Sequence, residues 1–269
     1  MALAVARRLG LACGEAVVLA EGMNTVVHLR PSPLVARVTA VAHLVRPADD
    51  LRGALNLGRT LGGLVVPPAH QVDPGPYVEG DRYVTLWAHT EAVPAAAAEA
   101  GASLAALHRA ARGHRGRLRR FDPRPEALRI AALVGGEAGA VLGAAARQMT
   151  VPALAEQAVH GDAHLGNALA GGVWLDLDDA CLGPPEWDLA SLRHCFVFFG
   201  ERAAETAEAL AAYGPYDEEA VAALDPLVVL SVAAWGAMAP FVGEPIGPRT
   251  RRRLQWLGDR YGGGSRSPG

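Results

Sequence analysis

The sequence predicts an α+β protein with two lobes, a small β-rich N-terminal lobe and a larger, mostly helical C-terminal lobe. Short strand patterns separated by turn residues fill roughly the first 90 residues, whereas the chain from Glu91 onward is rich in Ala and Leu at helical spacing. We therefore expect an N-terminal lobe at 1–88, a C-terminal lobe at 89–262 and a disordered tail at 263–269. A cleft between two lobes is a favoured place for a ligand.

The N-terminal lobe is predicted to be built from five strands. Turn residues separate the first three, which favours an antiparallel meander, and a Glu-Gly-Asp turn separates the last two. One helix, weakened by Gly53 and Gly58, is expected between the two groups at 49–61. The predicted strands are Ala16–Ala20, Val26–Leu29, Leu34–Val38, Tyr77–Val78 and Tyr83–Trp87.

The C-terminal lobe is predicted to be a set of helices. Its most apolar stretch, Pro226–Gly243, has 18 residues without a charge, which reaches the lower limit for a membrane span. Pro and Gly lie inside it and no basic cluster flanks it, so a buried helix is the preferred interpretation. The predicted helices are Ala95–Arg112, Glu126–Val134, Ala138–Met149, Trp187–Phe199, Arg202–Tyr213, Asp217–Leu224 and Leu227–Met238.

The composition excludes several classes of protein. The chain has 25 arginines and no lysine, so neither a Walker-type phosphate loop nor a lysine Schiff base is possible. The net charge of −3 gives no reason to expect a nucleic acid or a membrane as partner. Three scattered cysteines, Cys13, Cys181 and Cys195, form no disulfide framework, which favours a cytoplasmic protein.

The residues that carry chemistry lie between Val159 and Ala190, in VHGDAHLGNALAGGVWLDLDDACLGPPEWDLA. The Gly-Gly turn predicts a β-hairpin whose ends bring Asn167 beside Asp176. Two oxygen ligands would then converge, as Mg²⁺ requires. Asp162, one short loop earlier, can point into the same space as a free carboxylate that deprotonates a hydroxyl.

This segment resembles the aminoglycoside phosphotransferase family, whose fold is similar to that of protein kinases and choline kinases. HGDAHLGN corresponds to its H-G-D-x-x-x-x-N loop and LDLDDA to its acidic segment. The resemblance implies a bilobal protein-kinase-like fold and Mg²⁺-dependent transfer of the γ-phosphoryl group of ATP or GTP to a hydroxyl of a small molecule. An excess of acidic residues between Ala180 and Asp225 favours an aminoglycoside-like or other cationic antibiotic as acceptor. A sugar, an amino alcohol and a nucleoside-type metabolite stay alternatives.

The resemblance also implies roles for single residues. Asp162 would be the catalytic base, and Asn167 and Asp176 would bind Mg²⁺. His160 and Asp188 would hold the loop. Asp178 would be an accessory acid near the metal ions. His164, within the loop, is a candidate for a supporting or acceptor-side role, with ordinary loop packing as the alternative.

The nucleotide would be bound by the N-terminal lobe. The loop Glu21–Thr25, with a single glycine, is expected over the phosphates, and Arg37 on the third strand is expected to contact them. Arg has a forked, permanently charged side chain that chelates phosphate by two bonds. Predicted nucleotide contacts are Gly22, Asn24, Thr25, Arg37, Leu86 and Ala88, with Val38, Leu86 and Leu175 around the adenine ring.

One position departs from the family pattern. The family places a Glu on the following helix to hold the phosphate-binding cation, and Gly53 stands at that position here. Asp49 or Asp50 could substitute, or Arg37 could be oriented by phosphate alone. This departure and the single-glycine loop keep open an inactive nucleotide-binding module. A metal-dependent glycosyltransferase that uses Asp176 and Asp178 is a further alternative.

Overall fold

The structure, a computed structural model, describes residues 1–262, and the tail predicted at 263–269 lies outside the described residues. The chain forms two compact units. One comprises Met1–Phe121 and Leu154–Val221, and the other comprises Asp122–Ala153 and the chain from Ala222 onward. These bounds divide the chain differently from the lobe bounds 1–88 and 89–262, which stay a prediction.

The N-terminal part of the first unit is one large sheet with two helices. Its elements are α1 (Ala2–Arg8), β1 (Cys13–Ala20), β2 (Asn24–Pro31), β3 (Leu34–Thr39), α2 (Ala48–Leu61), β4 (Tyr77–Glu79) and β5 (Arg82–Ala88). The strand order is β1-β2-β3-β5-β4, and all pairs are antiparallel. The predicted meander, the last two strands and the helix at 49–61 are confirmed, whereas α1 was not predicted.

The two faces of this sheet have different surroundings. One face packs against α1, and its core includes Leu34, Ala36 and Val38 of β3. Successive side chains of a strand point to opposite faces. Val35 and Arg37 of the same strand therefore lie on the other face, where they line a cavity.

The remaining elements follow in chain order. They are α3 (Ala97–Ala111), β6 (Arg119–Arg120), α4 (Pro123–Val134), α5 (Gly136–Gln148), β7 (Gln157–Val159), β8 (Ala168–Leu169), β9 (Val173–Trp174), β10 (Cys181–Gly183), α6 (Pro185–Phe199), α7 (Ala203–Tyr213), α8 (Glu218–Ala237) and α9 (Pro248–Tyr261). Strands β6, β10 and β7 form a small sheet in that order, and β8 pairs with β9 as the predicted hairpin. Helix α9 was not predicted.

Helix α8 corrects one prediction. Two helices with a break at Pro226 were expected, but Glu218–Ala237 is a single helix that contains the proline. A proline removes one helical hydrogen bond without having to end the helix. Within residues 1–262, the stretch Glu218–Val242 is the one helical segment long and apolar enough to cross a membrane, and 56% of its apolar window is buried in the protein.

Candidate active site

The loop that follows β7 is held by one buried carboxylate. Asp188, in the first turn of α6 and 0% exposed, accepts the backbone N–H groups of His160 at 2.9 Å and Gly161 at 2.8 Å. From α3, Nε2 of His108 lies 2.9 Å from its Oδ2, and Nδ1 of His108 lies 2.8 Å from the hydroxyl of Tyr213. A buried carboxylate needs such partners. Asp188 is thus placed as expected for a residue that holds this loop.

The same loop passes very close to the segment after the hairpin. Gly161 has φ 90°, and a Cβ at this position would lie 2.0 Å from the carbonyl oxygen of Asp179. Only glycine combines that backbone conformation with so close an approach. The carbonyl of Gly161 accepts a hydrogen bond from Nε1 of Trp187 at 2.7 Å. The loop is therefore fixed directly before Asp162.

Asp162 and Asn167 contact each other at the two ends of the loop. Nδ2 of Asn167 donates to the backbone oxygen of Asp162 at 2.9 Å and to its Oδ2 at 3.3 Å. The amide oxygen of Asn167 thereby points away from the carboxylate. His160 is fully buried, and its Nε2 lies 2.7 Å from the backbone oxygen of Leu175. His160 thus links the loop to the end of the hairpin.

The hairpin brings Asp176 to the same place as Asn167. Ala168 pairs with Trp174, and the N–H of Leu175 donates to the backbone oxygen of Asn167 at 2.8 Å. Asp176 then has φ 63° and ψ 71°, a left-handed conformation that is uncommon outside glycine. Such backbone strain concentrates at functional sites.

Arg37 reaches across from β3 to this segment. Its Nη2 donates to Oδ1 of Asp176 at 2.8 Å and to Oδ2 of Asp178 at 2.9 Å. Burial lowers the pKa of the guanidinium, but attraction to the two carboxylates outweighs burial and raises the pKa above its ordinary value. Asn24, at the start of β2, donates from Nδ2 to Oδ2 of Asp178 at 2.9 Å.

These side chains face one cavity of about 450 Å³. Arg37, Asn24, Asn167 and Asp176 line its polar end, and apolar side chains from β2, β3, β5 and the hairpin line the rest. Within residues 1–262, three buried polar atoms of this cluster have no hydrogen-bond partner: Oδ1 of Asn24, Nε of Arg37 and Oδ1 of Asp178. Of these three, the two oxygen atoms can only accept a hydrogen bond, and Nε of Arg37 can only donate one.

The oxygen atoms present fit Mg²⁺. No group of three or more His, Cys, Asp or Glu side chains arranged as a metal site occurs among residues 1–262. Mg²⁺ instead takes one or two carboxylates, further oxygen atoms, water and substrate phosphate. The carboxylate of Asp176 and the amide oxygen of Asn167, two residues that line the cavity, supply that kind of donor.

The sequence matches the profile of the phosphotransferase enzyme family (APH) over residues 23–224, about three quarters of the chain. The chain belongs to this family. The resemblance drawn from HGDAHLGN and LDLDDA is thereby confirmed, and with it the prediction of an enzyme that transfers phosphoryl groups. A search of the curated proteins found no significant match.

Solved structures confirm the kinase-like fold of this phosphotransferase. The choline kinase LicA from Streptococcus pneumoniae is 16% identical, covers 96% of this chain and 98% of its own, and has a TM-score of 0.66. The GDP complex of aminoglycoside 2′-phosphotransferase-IIIa is 15% identical, covers 95% and 96%, and has a TM-score of 0.61. A spectinomycin phosphotransferase in complex with ADP and spectinomycin is 11% identical, covers 97% and 93%, and has a TM-score of 0.58.

The position of Gly53 in this phosphotransferase explains the departure from the family pattern. A Cβ at Gly53 would lie 2.8 Å from the backbone oxygen of Arg117, so α2 packs directly on that chain segment. The two carboxylates on Arg37 come from Asp176 and Asp178 instead. The alternative in which phosphate alone orients Arg37 is therefore wrong.

Four residues that were predicted to contact the nucleotide do not line the cavity. Val38 and Leu86 are buried in the core on the α1 face of the sheet, and Thr25 lines a groove on that same face. The prediction overlooked the alternation of strand side chains, because Val38 is next to Arg37 and must face away from it. Gly22 is exposed in the turn before β2 and does not line the cavity.

The backbone at the end of β5 is already hydrogen-bonded. The N–H of Leu86 donates to the backbone oxygen of Pro74 at 2.9 Å, and the N–H of Ala88 donates to the backbone oxygen of Pro67 at 2.9 Å. These N–H groups are therefore not available to the nucleotide that Leu86 and Ala88 were predicted to contact, although Ala88 does line the cavity. Of the three residues expected around the ring, Leu175 is in place, and Val35 and Trp87 take the positions expected for Val38 and Leu86.

Sequence reasoning missed three residues behind the cavity. Nη2 of Arg46 donates to Oδ1 of Asp179 at 2.5 Å, and Nη2 of Arg119 donates to the same atom at 3.1 Å. Arg46 also donates from Nη1 to the backbone oxygen of Asp178 at 3.2 Å. Because the chain has no lysine, the acidic segment can pair only with arginines or histidines. The sequence does not show which arginines these are, since they lie far from the segment along the chain.

The carboxyl of Asp162 has an unusual environment. Although 38% of its side chain is exposed, burial of the carboxyl and the nearby carboxylates of Asp179 and Asp176 raise its pKa well above the ordinary value. Nε2 of His164 lies 3.6 Å from its Oδ2, and Nδ1 of His164 accepts the N–H of Gly166 at 3.0 Å. Burial lowers the pKa of His164. A polar role of His164 next to Asp162 stays a prediction.

The acidic residues counted toward a cationic acceptor are largely engaged in other contacts. Asp188 holds the loop, and Asp217 accepts the N–H groups of Glu219 and Ala220 at 3.0 Å each. Glu205 pairs with Arg202 and Glu218 pairs with Arg193. The acidic composition of this region therefore does not by itself describe an acceptor site.

Proposed function

We propose that this chain is a nucleoside-triphosphate-dependent O-phosphotransferase that acts on a hydroxyl of a small molecule. The observation that carries the proposal is the convergence of Arg37, Asn167 and Asp176 on one cavity, with Asp162 hydrogen-bonded to Asn167. The unpartnered Nε of Arg37, a charged hydrogen-bond donor, supports a phosphate-bearing ligand.

Each residue has a distinct task in the proposed reaction. Asp162 accepts the proton of the acceptor hydroxyl as the hydroxyl oxygen bonds to the γ-phosphorus. The bond from the γ-phosphorus to the bridging oxygen breaks, and the nucleoside diphosphate leaves. Arg37 holds the nucleotide phosphates and neutralises their charge.

Asn167 and Asp176 would hold Mg²⁺, which neutralises phosphate charge when it is bound. The contact of Nδ2 of Asn167 with Asp162 orients its amide oxygen toward this use. The base and one of the two cation ligands are thus the two ends of one six-residue stretch, 162–167.

The nucleotide base would lie in the apolar part of the cavity, between Val35 and Trp87 on one side and Leu175 on the other. Aromatic and branched side chains suit a flat ring. Similar structures contain ADP or GDP, so both ATP and GTP are to be tested as donors.

For the acceptor we propose a hydroxylated amine. The leading candidate is an aminoglycoside-like or other cationic antibiotic. An amino alcohol is the second candidate, because two of the carboxylates of α7 and α8 are paired with arginines and that of Asp217 caps the start of α8, so these three are not placed for an acceptor. Similar structures include enzymes named for both kinds of compound.

An acceptor screen tests the proposal. The protein is incubated with ATP or GTP, Mg²⁺ and a panel of aminoglycosides, amino alcohols, sugars and nucleosides. The molecular mass of each acceptor is then measured by mass spectrometry. A gain of one phosphate by one class identifies the acceptor. Nucleotide binding without transfer to any compound supports the inactive module, and consumption of a nucleotide sugar supports the glycosyltransferase.

A further inference from the structure

We infer that Asp178 is a positioning residue, which holds Arg37 and Asn24 in place for the nucleotide phosphates. The inference rests on the proposed function and deepens it. In this chain the carboxylate that orients the phosphate-binding cation comes from the acidic segment after the hairpin, and not from helix α2.

The contacts of Asp178 are those of an orienting group. Its Oδ2 accepts Nη2 of Arg37 at 2.9 Å and Nδ2 of Asn24 at 2.9 Å. One oxygen atom therefore fixes the two polar side chains that the large sheet contributes to the cavity. The side chains of Asp178 and Arg37 are 10% and 14% exposed, so water screens their attraction only weakly.

Helix α2 offers no replacement at the expected position. A Cβ at Gly53 would lie 2.8 Å from the backbone oxygen of Arg117, so no acidic side chain fits there. Asp49 was one of the acids expected to replace the missing Glu. Its side chain is 70% exposed, and its Oδ1 lies 3.8 Å from Nε of Arg52 on the same helix. The ion pairs of Arg37 are instead with Asp176 and Asp178, which both lie outside the helix.

Asp176 alone does not meet this need. It also accepts Nη2 of Arg37, at 2.8 Å, but it is the proposed cation ligand. A carboxylate shared between a cation and a guanidinium interacts less strongly with each partner. Asp178 gives Arg37 an anionic partner that does not depend on what Asp176 binds.

The backbone of Asp178 is itself fixed. Nη1 of Arg46 donates to its carbonyl oxygen at 3.2 Å, and Nη2 of Arg46 holds the next residue, Asp179. An orienting residue must be rigid to define the position of another group. Arg46 supplies that rigidity from the segment between β3 and α2.

The experiment measures ADP affinity by calorimetry, once with EDTA and once with Mg²⁺, for the wild type and for Asp178→Asn, Arg37→Ala and the double variant. Asp178→Asn keeps the size of the side chain, and Asp178→Ala serves as a second variant, with circular dichroism to show that each is folded. Asp49→Asn is the matched control, because it removes an exposed acid from the same region.

We expect Asp178→Asn to weaken ADP binding about tenfold in EDTA as well as in Mg²⁺. We also expect the double variant to lose less binding free energy than the sum of the two single losses, because residues that act together are not additive. A small further loss relative to Arg37→Ala is expected, since Asp178 also holds Asn24. Asp49→Asn should bind as the wild type does.

Three outcomes would overturn the inference. A loss confined to Mg²⁺ would make Asp178 a cation ligand. Additive losses in the double variant would mean that Asp178 acts independently of Arg37. Unchanged affinity in Asp178→Asn would remove the role altogether. Failure of the wild type to bind either ADP or GDP would contradict the proposed function instead, and with it any role of Asp178 toward a nucleotide.

Discussion

Two neighbouring segments of the site are held in opposite ways. The loop 160–167 is anchored by Asp188, whose two oxygen atoms receive two backbone N–H groups and a histidine nitrogen. The segment 176–179 is anchored by arginines, and Oδ1 of Asp178 is left buried without a partner. Both oxygen atoms of the first anchor have partners, whereas the second segment is incomplete, because Oδ1 of Asp178 has none.

The largest expected effect comes from a substitution that removes the anchor of the first segment. Asp188→Ala leaves the N–H groups of His160 and Gly161 and the side chain of His108 without their acceptor in a dry interior. We expect a loss of about 3–5 kcal/mol in the free energy of unfolding, as for other broken buried pairs. Urea unfolding followed by circular dichroism measures it.

Nucleotide should not rescue Asp188→Ala, because the lost partners belong to the loop and not to the ligand. Asp188→Asn, which keeps one oxygen, should lose less than Asp188→Ala. Equal stability of Asp188→Ala and the wild type would show that this carboxylate does not anchor the loop.

The second prediction concerns the incomplete segment. A ligand that binds the folded protein and not the unfolded chain stabilises the fold, by about 2.7 kcal/mol at 100 times its Kd. We expect ADP with Mg²⁺ to raise Tm in differential scanning fluorimetry. The rise should be largely lost in Arg37→Ala and kept in Asp49→Asn. An equal rise in Arg37→Ala would place the phosphates away from β3.

The contrast between the two segments follows from what the sequence encodes locally. The hairpin, Asn167 and Asp176 lie within ten residues, so spacing alone predicts their meeting. The partners of Asp178 and Asp179 come from Asn24, Arg37, Arg46 and Arg119, more than 50 residues away in the chain. A pattern within a short stretch of sequence cannot predict contacts between residues so far apart along the chain.

The errors in the large sheet have a different origin. The strands themselves were predicted from turn residues and β-branched runs, but the face of each side chain depends on the register. Once Arg37 is placed in the cavity, alternation alone assigns Val38 to the core and Val35 to the cavity. The N–H groups of Leu86 and Ala88 donate to the backbone oxygen atoms of Pro74 and Pro67. No strand pattern predicts where these two prolines lie.

The smallest expected effect is a pH dependence of stability. Burial and the carboxylates of Asp179 and Asp176 raise the pKa of Asp162 above its value in the unfolded chain. The folded protein therefore loses stability as pH rises from the unfolded pKa toward the folded one. Asp162→Asn removes this loss, so it should raise Tm at pH 8 in the absence of metal, with the difference shrinking toward pH 4.

The rise should be roughly 2–4 °C, which corresponds to about 1 kcal/mol, since partial exposure of Asp162 reduces the repulsion. Asp49→Asn should show no such dependence. A lower Tm of Asp162→Asn at pH 8 would mean that favourable contacts of this carboxylate outweigh its repulsion.

The proposed role of Asp162 is tested most directly by the turnover of Asp162→Asn with an acceptor from the screen, measured together with its ADP affinity. The variant keeps the size of the side chain but cannot accept the proton. We predict a fall in kcat of about 10²–10⁴-fold with a Kd for ADP within about twofold of the wild type. Turnover at the wild-type rate would contradict the account, because the hydroxyl would then lose its proton without Asp162.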